Sequence, residues 1–350
     1  MSKIGIYIYG IMNSNSGRLF GTWGMNEFEN VYTISYKDIS AVVSESKIVA
    51  DYTHLLKDAL ALVLVKHQEI IERIMSMQYE VIPVRLGTFA VNRDEVLHIL
   101  DNGYPIIRDI FNKIKDKIEV DVAVTWSDFN LILKEIGEEK EIKEFKEMLL
   151  TKPNRITVED QMKVGTMVKK LLDEKREKFA FQIKDDLKSV SEGFKLHELM
   201  DDRMVFNSAF LIDKNKQEDF DKKVEELNTE FAEKLDFRCI GPLPSYSFYM
   251  LEIKKIQFEE IDYARRELGL NAHTITKDKI KKAYYKASFF SHPDKNLDTP
   301  GIEKKFEDLT KAYKILVDYC IAAQQASQCD RFSFNEEEFK KNAILVKVRE

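Results

Sequence analysis

His292, Pro293 and Asp294 stand together in ASFFSHPDKN, residues 287–296, directly after a helix-patterned run carrying Lys277, Lys279, Lys281, Lys282 and Lys286 against one acid, Asp278. An isolated tripeptide is a weak signal, because three residues recur by chance, so its setting has to carry the argument. The other residues capable of chemistry are scattered. His54 and His67 lie thirteen positions apart, too far for a helical metal pair at one-turn spacing, and read as ordinary helix-surface or core residues. Cys239, Cys320 and Cys329 are odd in number and form no CxxC, which suggests neither a disulfide framework nor a zinc site, but reduced thiols. There is no phosphate-cradling glycine loop, no GxSxG and no nucleophile paired with a base. No catalytic residue, cofactor or metal is expected.

The elements that would position the HPD stretch are helical. From about Phe258 to Ala326 the chain is lysine-punctuated and shows no strand pattern, and KKFEDLTKAYKILVD supplies the helix after the turn, with Phe306, Leu309, Ala312, Tyr313 and Leu316 as its inner face. Upstream the pattern differs. KIGIYIYGI and DISAVVSES read as strands, Thr53–Met77 as a helix with Thr53 as N-cap, and EVIPVRLGTFA as strand broken at Pro83 and Gly87. A helix over Arg93–Lys117 and the strand EVDVAVTW follow, an order that suggests a split βαβ sandwich. A long amphipathic helix within 155–200, the strand RMVFNSAFLID, a helix, and the paired strands of FRCIGPLPSYSFYMLEI imply a second sheet of ferredoxin-like type. The tail ends in ILVKV, suited to an edge strand.

Composition bounds the partners. The 350 residues are 44% hydrophobic and 33% charged, with 54 Lys+Arg against 60 Asp+Glu, a net charge of -6. That balance lacks the basic excess of nucleic-acid binding. The longest apolar run, ALALVLV, stops at Lys66, far short of the ~20 residues that span a bilayer, and MSKIGIYIYG has no signal-peptide pattern. A cytoplasmic protein without a nucleic-acid or membrane partner is expected. Arg85 reads as an ion pair at a strand end or an anion site, Pro242 and Pro244 as a strand break or a recognition surface, and KEIGEEKEIKEFKE as a solvated helix face.

The first 255 residues resemble the GvpL/GvpF gas vesicle proteins, through IYIYGI, DISAVVSE, HQEIIERIMSMQYEVIPVRLGTF and FRCIGPLPSYSFYMLEI in that order. The resemblance implies two ferredoxin-like α+β domains, no catalysis, a location in the cytoplasm and at the gas vesicle, and an accessory or minor structural role in assembling it. Its implied partners are the apolar shell protein and other vesicle accessory proteins. An escort for such a client needs sheet edges or apolar grooves, since large exposed apolar patches drive association.

The C-terminal part resembles the J domain of DnaJ-type co-chaperones, through IKKAYYKASFFSHPDKN and the helix after it. The resemblance implies that Lys281, Lys282, Lys286, His292, Pro293 and Asp294 contact a DnaK-type chaperone, the basic helix meeting an acidic surface and the HPD turn triggering ATP hydrolysis. A lysine cluster steers such an encounter. Phe289, Phe290 and Ser291 depart from the basic and aromatic residues usual before HPD. A packing or docking element without chaperone activity is the alternative use of such a module.

The expected fold class is therefore α+β: two ferredoxin-like α/β sandwich domains, 1–125 and 126–256, followed by a small all-α J-like domain, 257–330, and a tail, 331–350. The expected function is gas vesicle assembly through shell-protein binding, with chaperone recruitment by the J-like module. A general J-domain co-chaperone with client-binding N-terminal domains is the alternative.

Overall fold

A run of apolar residues that does not alternate marks a strand covered on both faces, and β1 (Ile4–Met12) is buried from its second residue onward. The computed structural model describes residues 4–15, 17–23, 30–47, 57–151, 157–272, 274–295, 300–327, 331–341 and 343–349, so Thr53, His54 and Cys329 lie outside the described residues. Contacts divide the chain into two compact units, Met1–Lys115 with Tyr249–Glu350, and Asp116–Phe248.

In the first unit β1 is central. β2 (Leu19–Gly21), β3 (Val31–Tyr36) and β4 (Ile39–Lys47) lie to one side, and β5 (Val81–Pro83) and β6 (Phe89–Ala90) pair with its other edge. All these pairings are antiparallel. Side chains alternate across a strand, so Ile6 and Ile8 face one way and Tyr7 and Tyr9 the other. Ile6 and Ile8 meet α2 (Arg93–Ile114), whose Val96, Ile99, Leu100, Ile107 and Phe111 share their core. Tyr7 meets α1 (Lys57–Ser76): its hydroxyl lies 2.7 Å from His67 Nδ1, and His67 Nε2 lies 3.1 Å from the Val84 carbonyl. Nε2 therefore carries the proton and Nδ1 accepts from the tyrosine.

In the second unit β7 (Lys117–Trp126) is followed by α3 (Phe129–Gly137), α4 (Lys140–Leu150), α5 (Val158–Ser189), β8 (Gly193–Leu196), β9 (Met204–Asp213), α6 (Gln217–Glu230) and β10 (Leu235–Leu243). The sheet runs β10-β7-β9-β8, every pair antiparallel, which is the ferredoxin-like order. One face of β7 packs through Ile118, Val120, Val122 and Val124, all buried. Phe210 of β9 meets Phe220 of α6, ring centroids 5.4 Å apart.

After the short helix α7 (Tyr246–Tyr249), the chain adds β11 (Leu251–Lys255), α8 (Phe258–Glu267), β12 (Thr274–Ile275), α9 (Lys277–Phe290), α10 (Ile302–Ser327), β13 (Phe332–Ser333), α11 (Glu336–Lys341) and β14 (Ile344–Val348). All of β11–β14 and α8–α11 belong to the first unit. α8, α9 and α10 enclose a core in which Ile280, Leu309, Leu316 and Tyr319 pack with Phe334, Phe339 and Leu345 of the tail.

The structure moves the expected boundaries. β7, expected at the end of the first domain, pairs on both edges with strands of the second sheet, so the break falls at 115/116 and not at 125. β11, expected to pair within the second sheet, instead takes β14 as its partner in the first unit, and the second break falls at 248/249. The helical segment is not a separate unit, because its core needs the tail: the Ile256 N–H donates to the Ala343 carbonyl at 2.8 Å, and Ile256 and Ile261 are buried. The helical stretch also holds one short strand, β12, paired with β13. Arg85 supports a strand end, 2.5 Å from Glu252.

Candidate functional site

The inward face of α9 is written at positions 280, 283, 284 and 287, which recur at three and four residues and pack into the helical core. Tyr284 stacks on Tyr313 of α10 with centroids 4.4 Å apart, and their helices are tied again where the Tyr284 and Thr310 hydroxyls meet at 3.2 Å. That packing decides which way the lysines point. Lys277, Lys279, Lys281, Lys282 and Lys286 are all exposed, and 279, 282 and 286 fall on one line along the helix.

Ser291 caps α9, buried, its N–H donating to the Ala287 carbonyl at 3.1 Å. The chain then turns through a single 3-10 turn, Pro293–Lys295. The Asp294 N–H donates to His292 Nδ1 at 3.2 Å, and the Lys295 N–H to the His292 carbonyl at 3.1 Å. The His292 ring stands edge-on to Phe306 of α10, 5.3 Å between centroids. The histidine therefore shapes the turn and fastens it to α10, while the Asp294 carboxylate, 86% exposed, is presented outward as an acceptor. Lys281, Lys282 and Lys286 thus lie outside the core face of α9, and His292, Pro293 and Asp294 form the turn that ends it, with one exposed acceptor.

Sequence reasoning noted Phe289 and Phe290 only as departures from the usual residues and missed Tyr285. Tyr285, Phe289 and Phe290 are 59%, 59% and 68% exposed. The signal was present, since 281, 285 and 289 share a helical face that excludes the core positions.

A second cluster lies in the other unit. Glu119 of β7 is buried and accepts from the Ser247 N–H at 2.8 Å and the Ser247 hydroxyl at 2.7 Å, and His197 Nε2 lies 3.3 Å from that hydroxyl. Burial pushes the Glu119 carboxyl up to about 7. The serine sits between histidine and carboxylate, so the histidine is not oriented by the acid as a hydrolase base would be; the arrangement fastens Tyr246–Tyr249 to the sheet. Nothing in the sequence marked it, because its members are 50 and 128 positions apart. Burial pushes the Cys320 thiol up to about 12, away from nucleophilic use. Among the described residues no group of His, Cys, Asp and Glu is placed to hold a metal, and no helix is long and apolar enough to cross a membrane.

Comparison with known proteins bears on both parts of the chain. The family of gas vesicle synthesis protein GvpL/GvpF matches residues 5–250, and the DnaJ domain matches residues 266–320. Gas vesicle protein F of Nostoc sp. is 22% identical over 246 residues, 70% of this chain and 97% of that protein. Gas vesicle protein F1 of Halobacterium salinarum is 23% identical, over 71% of this chain and 94% of its own. The crystal structure of GvpF from Anabaena sp. shares the fold, with a TM-score of 0.59 at 22% identity over 71% of this chain and 98% of that one. The chaperone protein DnaJ of Neisseria meningitidis is 49% identical over 47 residues, 13% of this chain and 13% of that one. The sheet-rich part and the helical part of the expected fold class both stand. The chain belongs to the GvpL/GvpF family of gas vesicle synthesis proteins, with a DnaJ domain built into the first of its two compact units.

Proposed function

We propose that this protein works in gas vesicle assembly as an accessory or minor structural component that binds the shell protein, and that its DnaJ domain brings a DnaK-type chaperone to the same task. The observation that carries the reading is the HPD turn itself. In a chain that otherwise spans nearly the full length of gas vesicle protein F, Asp294 is held outward at the end of a lysine-lined helix while His292 is used to fix the turn. A module kept only for packing has no need of an exposed acid at the turn and a line of exposed lysines, 279, 282 and 286, along the helix before it. Escort of an apolar client and recruitment of an ATP-driven chaperone are complementary tasks, since the client must be held soluble and then released.

The test is capture from a vesicle-forming host with the full chain and with Asp294→Asn, which removes one charge at nearly constant size. Both proteins should capture shell protein. The unaltered chain alone should stimulate the ATPase of the host's DnaK-type chaperone, with equal melting temperatures for the two proteins. Capture of many unfolded clients without preference for shell protein would instead make it a general J-domain co-chaperone. Failure of the unaltered chain to stimulate any of the host's DnaK-type chaperones would end the recruitment reading. Truncation near 256 is a poor substitute for this test, because it removes β14, the partner of β11.

A further inference from the structure

The DnaJ surface carries more than charge. Tyr285 and Phe289 lie one turn apart on the outer side of α9, and Phe290 is set edge-on to Phe289 with centroids 5.6 Å apart. Lone exposed apolar residues need no explanation. Three aromatic side chains, more than half exposed, within two turns of one helix and adjoining a functional turn are a patch. The patch is not spill-over from a poorly packed core, because the helical core beneath is filled by Tyr319, Phe332, Phe334 and Phe339, all buried. Cations flank it at both ends. Lys281 Nζ stands 5.7 Å from the Tyr285 ring centroid and Lys295 Nζ 3.3 Å from that of Phe289.

We propose that Tyr285, Phe289 and Phe290 form a specificity-determining anchor, which docks in an apolar pocket beside the acidic surface of the chaperone's partner-binding face. The inference rests on the recruitment reading above and names the feature that would select among DnaK-type chaperones. Charge complementarity fixes the kind of occupant: a row of exposed lysines demands an acidic surface, and aromatic side chains amid those lysines demand that the acidic surface be interrupted by an apolar one. Lysines alone give fast, salt-sensitive and weakly selective encounter, whereas buried aromatic anchors lower the off-rate and discriminate between pockets.

The two contributions separate by salt. Binding of the full chain to its host's DnaK-type chaperones is measured across a salt series for the unaltered protein, for F289A/F290A, for F290K and for K282Q/K286Q. The lysine variant should lose affinity at low salt and show a flatter salt dependence. The double aromatic variant should lose about tenfold or more at every salt concentration, the size expected when a hot-spot pair is truncated. F290K, which adds a charge and removes a ring, should also bind more weakly, and more so as salt rises. Unchanged affinity of both aromatic variants, beside loss in the lysine variant, would overturn the anchor and leave recruitment standing. No binding by the unaltered chain would overturn recruitment and the anchor together.

Discussion

The second unit folds from one continuous stretch, Asp116–Phe248, while the first is assembled from two stretches separated by it, and its last strand comes from the end of the chain. The consequence is a difference in how each is held. In the second unit the ladder β10-β7-β9-β8 and its helices close on themselves. In the first, β14 lies between two cores: Ile344 and Val346 pack with α2 and the first sheet, and Leu345 with the DnaJ helices. Polar contacts repeat the pattern. Gln325 of α10 bonds both the N–H and the carbonyl of Val346, at 3.1 and 2.5 Å, and Asp318 of α10 meets Lys254 of β11 at 2.6 Å. The DnaJ domain is thus a wall of the first unit and not an appendage.

Ending the chain after Lys341 should unfold the first unit and spare the second. Ile344, Leu345 and Val346 are each at least 95% buried. Fully burying such a side chain stabilises by about 1.5–3 kcal/mol, so removing three costs on the order of 5–9 kcal/mol, comparable to the whole stability of a domain. Hydrogen exchange by mass spectrometry on the truncated protein should show the first sheet, α2 and the DnaJ helices exchanging together, with β7 and β9 as protected as before. Retained protection of α2 and α10 would show that the tail is dispensable and that the DnaJ helices hold their place unaided. On the same grounds residues 255–262 of the intact chain should resist limited proteolysis, although the boundary expected from the sequence, 256/257, falls among them.

How far the sequence foretold this follows from range. Elements with a long, regular period were legible: α2, α5, β1, β7 and β9 fall within a few residues of where apolar spacing puts them. The short strands β3 and β8 were missed: GFKL is too brief to show alternation, whereas VYTISY alternates from Tyr32 to Tyr36 and was legible but passed over. Pairing was the least legible. FRCIGPLPSYSFYMLEI reads as a hairpin, but β10 and β11 are drawn to different partners by residues far away in the chain, Glu119–Trp126 for one and Ile344–Val348 for the other. The HPD turn and its lysines were legible because the site is local, built from one helix and the turn after it. The Glu119 cluster was not, since only folding brings Ser247 and His197 to that strand.

The two units should also part in their response to acid and base. Two of the buried side chains, His67 in the first unit and Glu119 in the second, respond to pH in opposite directions. Burial lowers His67 from 6.5 to about 4, against the pull of its bond to the Val84 carbonyl. Above about 6.5 the ring is neutral whether folded or unfolded; as pH falls through that value toward 4 the unfolded chain takes up a proton that the folded one refuses, and stability is lost. Burial raises Glu119 from 4.5 to about 7, opposed by its bonds to Ser247. Its contribution is complete below about 4.5 and is lost as pH rises to about 7, because the unfolded carboxyl ionises first. By linkage each is on the order of 3 kcal/mol. Between pH 7.5 and 5, exchange-derived opening free energies should fall for β1 and α1 and rise for β7 and β9. Glu119→Gln should flatten the second trend and leave the first. Parallel trends in the two units would mean that other groups dominate.

Replacing a helical glycine by alanine should have opposite signs in the two units. Gly103 lies within α2, where an added Cβ would stand 2.9 Å from Val346 Cγ1 and 3.0 Å from Ile107 Cδ1. Val346 cannot yield easily: it is β-branched, and both its backbone polar groups are held by Gln325. Gly165 lies within α5, where an added Cβ meets nothing within 4 Å. Alanine is favoured over glycine inside a helix by about 0.8–1 kcal/mol, while overpacking costs about 1–3 kcal/mol. Gly165→Ala should therefore stabilise the second unit by about 0.5–1 kcal/mol, with nothing to offset the gain in helix propensity. Gly103→Ala should destabilise the first by about 1 kcal/mol net, the overpacking exceeding that gain. Adding Val346→Ala to Gly103→Ala tests the cause, because removing the two methyls makes room for the new one. The pair should then cost less than the sum of its single changes, the mark of residues in direct contact. If the pair is additive, or if Gly103→Ala stabilises as Gly165→Ala does, α2 and β14 are less closely packed than the structure has them, and the dependence of the first unit on the end of the chain weakens with them.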